Sequence, residues 1–419
     1  MKSRERVLKA LSHVQSDRVP LDFGAIGQTG ISATVVVKLR KALGLDKQET
    51  PIKIVEPYQM LGEIADDLMQ KLGVDCIGLW GRTNIFGFQN RDWKPWRMFD
   101  ETPVLVPGLF NTEPAPNGDI LMYPQGDKSV PPSARMPKGG FYFDAIVRQE
   151  PIDENNLNVK DNLEEFGEIS EDELKFLDKQ ANNLYRNTDY AIAGSFGGTA
   201  FGDVALVPAT YLKHPKGIRD IEEWYISLLT RKAYICDIFQ QQAEIALKNL
   251  ERIRQAVLDK ICVINVSGTD FGMQRGPFIS IDLYRELFRP VHKKVNDWIH
   301  KNTKWKIFMH SCGSIEPLIP ELIEAGFDIL NPVQCSADNM DPEHLKKQYG
   351  SRVVFWGGGI ETQTTLSCGS AEDVRREVKE RIRIFKRGGG FVFNTVHNIQ
   401  STTPIENVLA MIETLTECR

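Results

Sequence analysis

The 419-residue chain contains no apolar run near the ~18 residues that a membrane-crossing helix needs. No apolar stretch follows the opening Met1-Lys2-Ser3-Arg4-Glu5-Arg6, so no secretory leader is expected there. No block of basic residues stands out. The 51 Lys+Arg against 56 Asp+Glu give a formal net charge of −5, which argues against a nucleic-acid binder. There is no CxxC pair. The seven cysteines (76, 236, 262, 312, 335, 368 and 418) are scattered and odd in number, which argues against a disulfide framework and for a reducing cytoplasm. Internal repeats and low-complexity segments are also missing. So are G-x-x-x-x-G-K-[ST], G-x-G-x-x-G after a strand, and G-x-S-x-G. The glycine triplets at 357–359 and 388–390 fit none of these, which leaves nucleotide phosphates without a cradle and an α/β-hydrolase without its nucleophile.

What is present is a large soluble-type composition, 42% apolar and 26% charged, that can bury a core without staples. Length alone suggests two or three domains of about 150 residues. The apolar segments suggest something else. Eight of them begin near Val19, Asp75, Tyr190, Cys262, Trp305, Asp328, Val353 and Phe391. Helical patterns accompany them near 31–44, 59–72, 219–256, 280–302, 314–325, 342–348, 371–387 and 405–416. The segments are continuous rather than alternating, the pattern of strands buried on both faces in a parallel sheet. Eight strand–helix units predict an α/β (β/α)8 TIM barrel, with an open doubly wound sheet as the structural rival. A single barrel spanning 1–419 then replaces the two or three domains. Residues 84–165 break the rhythm. Ten of the 22 prolines lie between 91 and 160, with turn signals at Asn117-Gly118-Asp119 and Lys138-Gly139-Gly140. This predicts a Pro-rich loop-and-hairpin insertion between strands two and three. It ends in a helix capped at Ser170.

Barrel chemistry sits at the C-terminal ends of the strands. His310 and Cys312 end the fifth strand as H-x-C. Their i, i+2 spacing turns both to one side, and imidazole with thiolate suits zinc. His397, after the eighth strand, could complete the three ligands of a catalytic zinc. The other reading is a hydrogen-bonded core histidine beside a small buried cysteine. Asp270 and Asp22 are candidate catalytic carboxylates, or else turn and cap residues. Glu316 and Glu361 are read as opening helices, where a carboxylate favours the N-terminus. Gln334, Trp80, Phe196 and Trp356 also lie at strand ends, with Phe271. They could hold a flat cofactor, or the aromatics could simply finish the core.

Several of these stretches are similar to the uroporphyrinogen decarboxylase (URO-D-like) superfamily. They are Arg4-Glu5-Arg6-Val7-Leu8 with Asp17-Arg18-Val19-Pro20, the loop from Asp270 to Ser280, His310-Ser311-Cys312-Gly313 with Pro317, Gly357-Gly358-Gly359-Ile360, and Thr403-Pro404-Ile405-Glu406-Asn407. The resemblance covers nearly the whole chain apart from the region around 84–165. Members that decarboxylate uroporphyrinogen carry arginines in the loop after strand one. Here that loop, Phe23 to Gly30, has none, which removes the forked partners of a polycarboxylate. The other branch comprises zinc methyltransferases that use corrinoids. Their motif is H-x-C plus a cysteine shortly before the last T-P, and here His397 stands in that third position. One thiolate instead of two makes the metal more Lewis acidic, which sets the chain apart from members that act on thiols such as coenzyme M.

The resemblance implies a zinc-dependent methyltransferase moving a methyl group between a corrinoid (methylcobalamin or a corrinoid-carrying protein) and a thiol, folate or similar acceptor. The alternatives are a carboxy-lyase using Asp270 or Asp22, and a non-catalytic barrel that binds a corrinoid or tetrapyrrole.

Overall fold

A computed structural model describes residues 1–46 and 50–418. Its centre is a seven-stranded parallel sheet. In spatial order the strands are Cys76–Trp80, Ala191–Ser195, Val263–Ser267, Lys306–His310, Ile329–Asn331, Val354–Trp356 and Phe391–Val392. Spatial order equals chain order, as right-handed β-α-β crossovers repeated in one direction produce.

The apolar segment near Val19 does not form a full strand. Only Leu21 bridges, in parallel to Phe393. Pro20 has no N–H, so the ladder cannot extend through it. The Leu21 N–H is taken by the side chain of Asp75 at 3.0 Å rather than by a backbone carbonyl. Even so, residues 20–22 bond to both edges of the sheet. Phe393 N donates to Pro20 O and Asp22 N to Phe393 O on one side, and Asp75 N donates to Leu21 O on the other.

Inside the curled sheet lies a core of its own, including Cys76, Ala191, Phe308, Trp356 and Val392. Val7, Ala10 and Leu11 of the helix Ser3–Leu11 pack into it and stop one end. The opposite, C-terminal end stays open to the loops. A larger apolar layer separates the outside of the sheet from the helices.

Several helical expectations change at identifiable residues. The pattern over 59–72 yields only the helix Asp66–Leu72. Ahead of it Leu61–Gly62 pairs with Ile52–Glu56, around a turn where Met60 has φ 53°. A Cβ on Gly62 would come within 3.1 Å of the Ala33 backbone and press on the end of the Ile52 side chain, so glycine lets this strand pack closely without displacing its neighbours. Asp66 and Asp67 then supply first-turn charge for the helix. The long helix expected over 219–256 breaks at Arg231 into Ile221–Thr230 and Lys232–Val257. The helix over 280–302 widens into a π-turn at Tyr284–Phe288, ahead of Pro290, which cannot donate to the carbonyl four residues back. Glu361 opens no helix. It is 4% exposed, and its Oε2 has no hydrogen-bond partner among the described residues.

Between the Cys76–Trp80 and Ala191–Ser195 strands the chain first forms short strands, with 3-10 turns at Pro124–Gly126 and Val159–Asn162. Lys94–Arg97 and Pro103–Val106 join the 52–62 hairpin in one sheet. Thr112–Pro114, Ile120–Met122, Ala134–Met136 and Asp144–Ala145 form an antiparallel meander. The helix Glu171–Asn187 follows, and its N-cap Ser170 accepts from Glu173 N as the sequence suggests. Among the described residues, no helix is long and apolar enough to cross a membrane.

Candidate metal centre

Phe308 belongs to the inner core. His310, two residues on, therefore faces the same interior, one step nearer the open end. The chain turns out of the strand there and brings Cys312 back beside it, with Sγ 3.4 Å from His310 Nε2. His397 comes from the loop after Phe391–Val392. It holds a left-handed backbone (φ 69°) and its carbonyl accepts from the Thr395 hydroxyl. Its ring lies 5.3 Å from that of His310, centroid to centroid. Donor atoms of His310, Cys312 and His397 all lie within 4.8 Å of one another. A backbone strained away from the usual φ at a cluster of reactive side chains is a mark of functional sites.

The surroundings orient this cluster. His310 Nδ1 is 2.5 Å from Asn331 Oδ1, and Asn331 Nδ2 donates to Trp356 O at 2.7 Å. The carbonyl contact fixes which end of the Asn331 amide is the acceptor, so His310 Nδ1–H donates and Nε2 keeps its lone pair toward Cys312 and His397. Asp270 Oδ1 accepts from Cys312 N at 2.7 Å and lies 3.8 Å from His310 Nε2. Gln334 Oε1 accepts from Gly313 N, and its Nε2 donates to Gln274. Replacing Asn331 by leucine should lower metal affinity about 10–100-fold, while Asn331→Asp, which still accepts from Nδ1–H, should hold it. Competition titration with a chromophoric chelator reads the difference.

The electrostatics suit a cation. Burial, with the His310 ring beside it, lowers the His397 pKa to about 3, so its imidazole is neutral and free to coordinate. Burial, then the Asp270 charge, pushes the Cys312 thiol well above its ordinary range. A bound cation would reverse that, since a coordinating thiol is deprotonated. Two imidazoles and one thiol are a fitting donor set for zinc with one position left open. That open side meets a cavity of about 530 Å³ lined by Cys312 and His397 together with Gln334, Val396 and polar loop side chains.

The structure thus brings His310, Cys312, His397, Asp270 and Gln334 together, and it separates the remaining candidates from them. Asp22 is fully buried below the site, where it accepts from Trp356 Nε1 (2.9 Å) and Ala25 N (3.0 Å). Trp356 is 1% exposed and packs edge-on against Phe308. Neither lines the cavity; both are buried inside the curled sheet. Phe196 folds over Gly194, where a Cβ would meet its ring at 2.5 Å. Phe271 is buried against Tyr284 and Phe288. Trp80 lines a separate cavity of about 220 Å³ with Phe23, Ile64 and Glu56, whose carboxyl is raised by burial to about 7. The expected aromatic platform is therefore not assembled around the cluster.

Two kinds of residue escape a reading of the sequence. Asn331 carries no motif; only its place at a strand end beside the H-x-C strand marks it. Asp203 sits in the loop after Ala191–Ser195. Burial, with the Asp270 charge nearby, raises its pKa to about 6.

Burial also raises Asp22 to about 6 from 3.8. A carboxyl with a raised folded pKa binds more protons in the native state, so its contribution to stability falls as pH rises from the unfolded to the folded value. Asp22→Asn should therefore gain on the parent between pH 4 and 7, by about 3 kcal/mol at about 1.4 kcal/mol per unit. Urea unfolding of both proteins at the two pH values measures it.

The matching family model is uroporphyrinogen decarboxylase (URO-D), over residues 196–418, more than half of the chain. A search of curated proteins finds no match. Among solved structures, a methyltransferase from Methanosarcina mazei superposes with a TM-score of 0.56 at 16% sequence identity, covering 100% of this chain and 99% of that one. At that identity the likeness speaks to the fold. The conserved course of the chain, with the family match over its C-terminal half and more, places this protein in the uroporphyrinogen decarboxylase (URO-D) family.

Proposed function

We propose that the protein is a zinc-dependent methyltransferase, moving a methyl group between a corrinoid and a thiol, folate or similar acceptor. The observation that carries this reading is the His310–Cys312–His397 cluster, with its free side on a cavity large enough for a small molecule. Zinc bound there would supply Lewis acidity toward the acidic group of an acceptor.

The chain's own residues do the rest. Asn331 holds the His310 ring and its tautomer. Asp270 fixes the Cys312 backbone and is the carboxylate beside the cluster, suited to take the proton an acceptor loses when it gains a methyl group. Asp22, buried and held by Trp356, serves the scaffold in this reading.

The seven strands, with residues 20–22 bonded to both edges, are read as one closed (β/α)8 barrel over 1–419. Residues 84–165 are then an insertion on its open face. Phe141 and Tyr142 from that region line the cavity, next to where methylcobalamin or a corrinoid-carrying protein would approach. A cytoplasmic site suits the free thiols. The carboxy-lyase reading has less support, because among the described lining residues none is Lys or Arg.

The test is to mix zinc-loaded protein with methylcobalamin and a panel of thiols and tetrahydrofolate, and to follow the corrinoid spectrum. Acceptor-dependent loss of the methylcobalamin bands, absent in metal-stripped protein, is the expected result. No spectral change with any acceptor, or the same rate without metal, contradicts the proposal.

A further inference from the structure

We infer that the acceptor taken up beside the cluster is electrically neutral beyond the group that meets the metal, and is recognised through carboxamides rather than through a counter-charge. This rests on the zinc reading above and adds to it the class of acceptor.

Apart from the two cluster ligands, the described residues lining the 530 Å³ cavity include no Lys, Arg, Asp or Glu. Five carboxamides stand there instead: Gln59, Gln334, Gln363, Asn398 and Gln400. Two of them are fixed parts of the wall. Gln334 is held between Gly313 and Gln274. Asn398 accepts from Gly30 N and donates to Gly27 O and to Gln59 Oε1. Gln59 thus has its oxygen occupied and its amide hydrogens to spare. The side chains of Gln363 and Gln400 make no hydrogen bond with the described residues, so they keep both donor and acceptor capacity for a ligand.

Such a wall discriminates by charge. A sulfonate or carboxylate entering it would exchange water for amide donors alone, with no guanidinium or ammonium to offset the desolvation. Once the anion of Cys312 and that of the bound acceptor offset the metal, the charges left beside the cluster are those of Asp270 and Glu361, both of the wrong sign for an anion. An ammonium group would likewise find no carboxylate in the lining. A hydroxyl or amide loses little, because the unpaired carboxamides replace both its donor and its acceptor contacts with water. The ligand this cavity fits turns its acidic group toward the cluster and carries neutral hydrogen-bonding groups along its tail.

The experiment uses the full chain with cobalt(II) in place of zinc, since sulfur binding to cobalt gives a visible charge-transfer band. Four two-carbon thiols that differ at the far end are titrated: 2-mercaptoethanol, N-acetylcysteamine, 2-mercaptoethanesulfonate and cysteamine. The neutral pair should bind about tenfold or more tightly than the charged pair, a difference of about 1.4 kcal/mol. Gln400→Lys should tighten the sulfonate severalfold relative to N-acetylcysteamine, a comparison in which thiol acidity cancels. If cobalt binds but the sulfonate or cysteamine matches the neutral thiols, this inference is overturned and the metal reading stands. If no cobalt binds, both are overturned.

Discussion

Cys312→Ala should leave the protein folded and without its metal. Cys312 sits in a loop at the open end of the sheet, only partly buried, so truncating it removes no core packing. It is also the one sulfur of a three-donor set. Zinc sites built wholly of protein ligands bind with on the order of 10 kcal/mol, so a third of that is about 3 kcal/mol, or more than about hundredfold in affinity. His310→Ala and His397→Ala should do the same by removing a nitrogen donor. Elemental analysis after dialysis against a weak chelator, with circular dichroism as the folding control, checks all three. Methyl transfer should vanish with the metal. Folded variants that keep one zinc per chain would show that other residues hold it.

Asp75→Ala should cost stability without touching the cluster. Asp75 is fully buried and receives Arg6 and Arg18, each at 2.7 Å. Its Oδ2 also takes the Leu21 N–H. Removing it leaves Arg6, whose side chain is 6% exposed, with Asp17 as its one carboxylate and the Met1 carbonyl, and it frees the segment that bonds to both sheet edges. Losing one partner of a buried ion pair costs about 3–5 kcal/mol, because the remaining charge is stranded. The midpoint of urea unfolding should fall accordingly, while zinc content in the folded protein stays unchanged. A shift below about 1 kcal/mol, the range of exposed pairs, would mean that water reaches Arg6.

How far the sequence alone reached follows from where each signal lies. The strands from Cys76 to Val392 are legible because burial on both faces demands continuous apolar runs, and nothing else in the chain produces them so regularly. The first strand is not, because Pro20 and the side chain of Asp75 replace backbone pairing there. The pattern over 59–65 reads as helix because Met60, Leu61 and Ile64 have helical spacing, whereas close packing at Gly62 selects a strand. The cluster was legible for two reasons. His310 and Cys312 are neighbours in the chain, and the curl of the sheet carries the loop after Phe391–Val392 round toward the end of Lys306–His310. Its support was not: Asn331 acts through a single hydrogen bond, and Gln59, Gln363 and Gln400 reach the cavity from separate loops with no shared spacing. Trp356 misled because alternation decides its direction. Facing inward on a short strand, it packs on Phe308 and donates to Asp22.

The proposed function requires a mixed two-nitrogen, one-sulfur zinc centre, and zinc K-edge X-ray absorption on protein purified without chelators tests it most directly. The prediction is one zinc per chain with a single sulfur at about 2.3 Å and the remaining first-shell scatterers, nitrogen or oxygen, at about 2.0–2.1 Å. Protein free of stoichiometric zinc, or a shell of two or more sulfurs in the absence of added thiol, would contradict it.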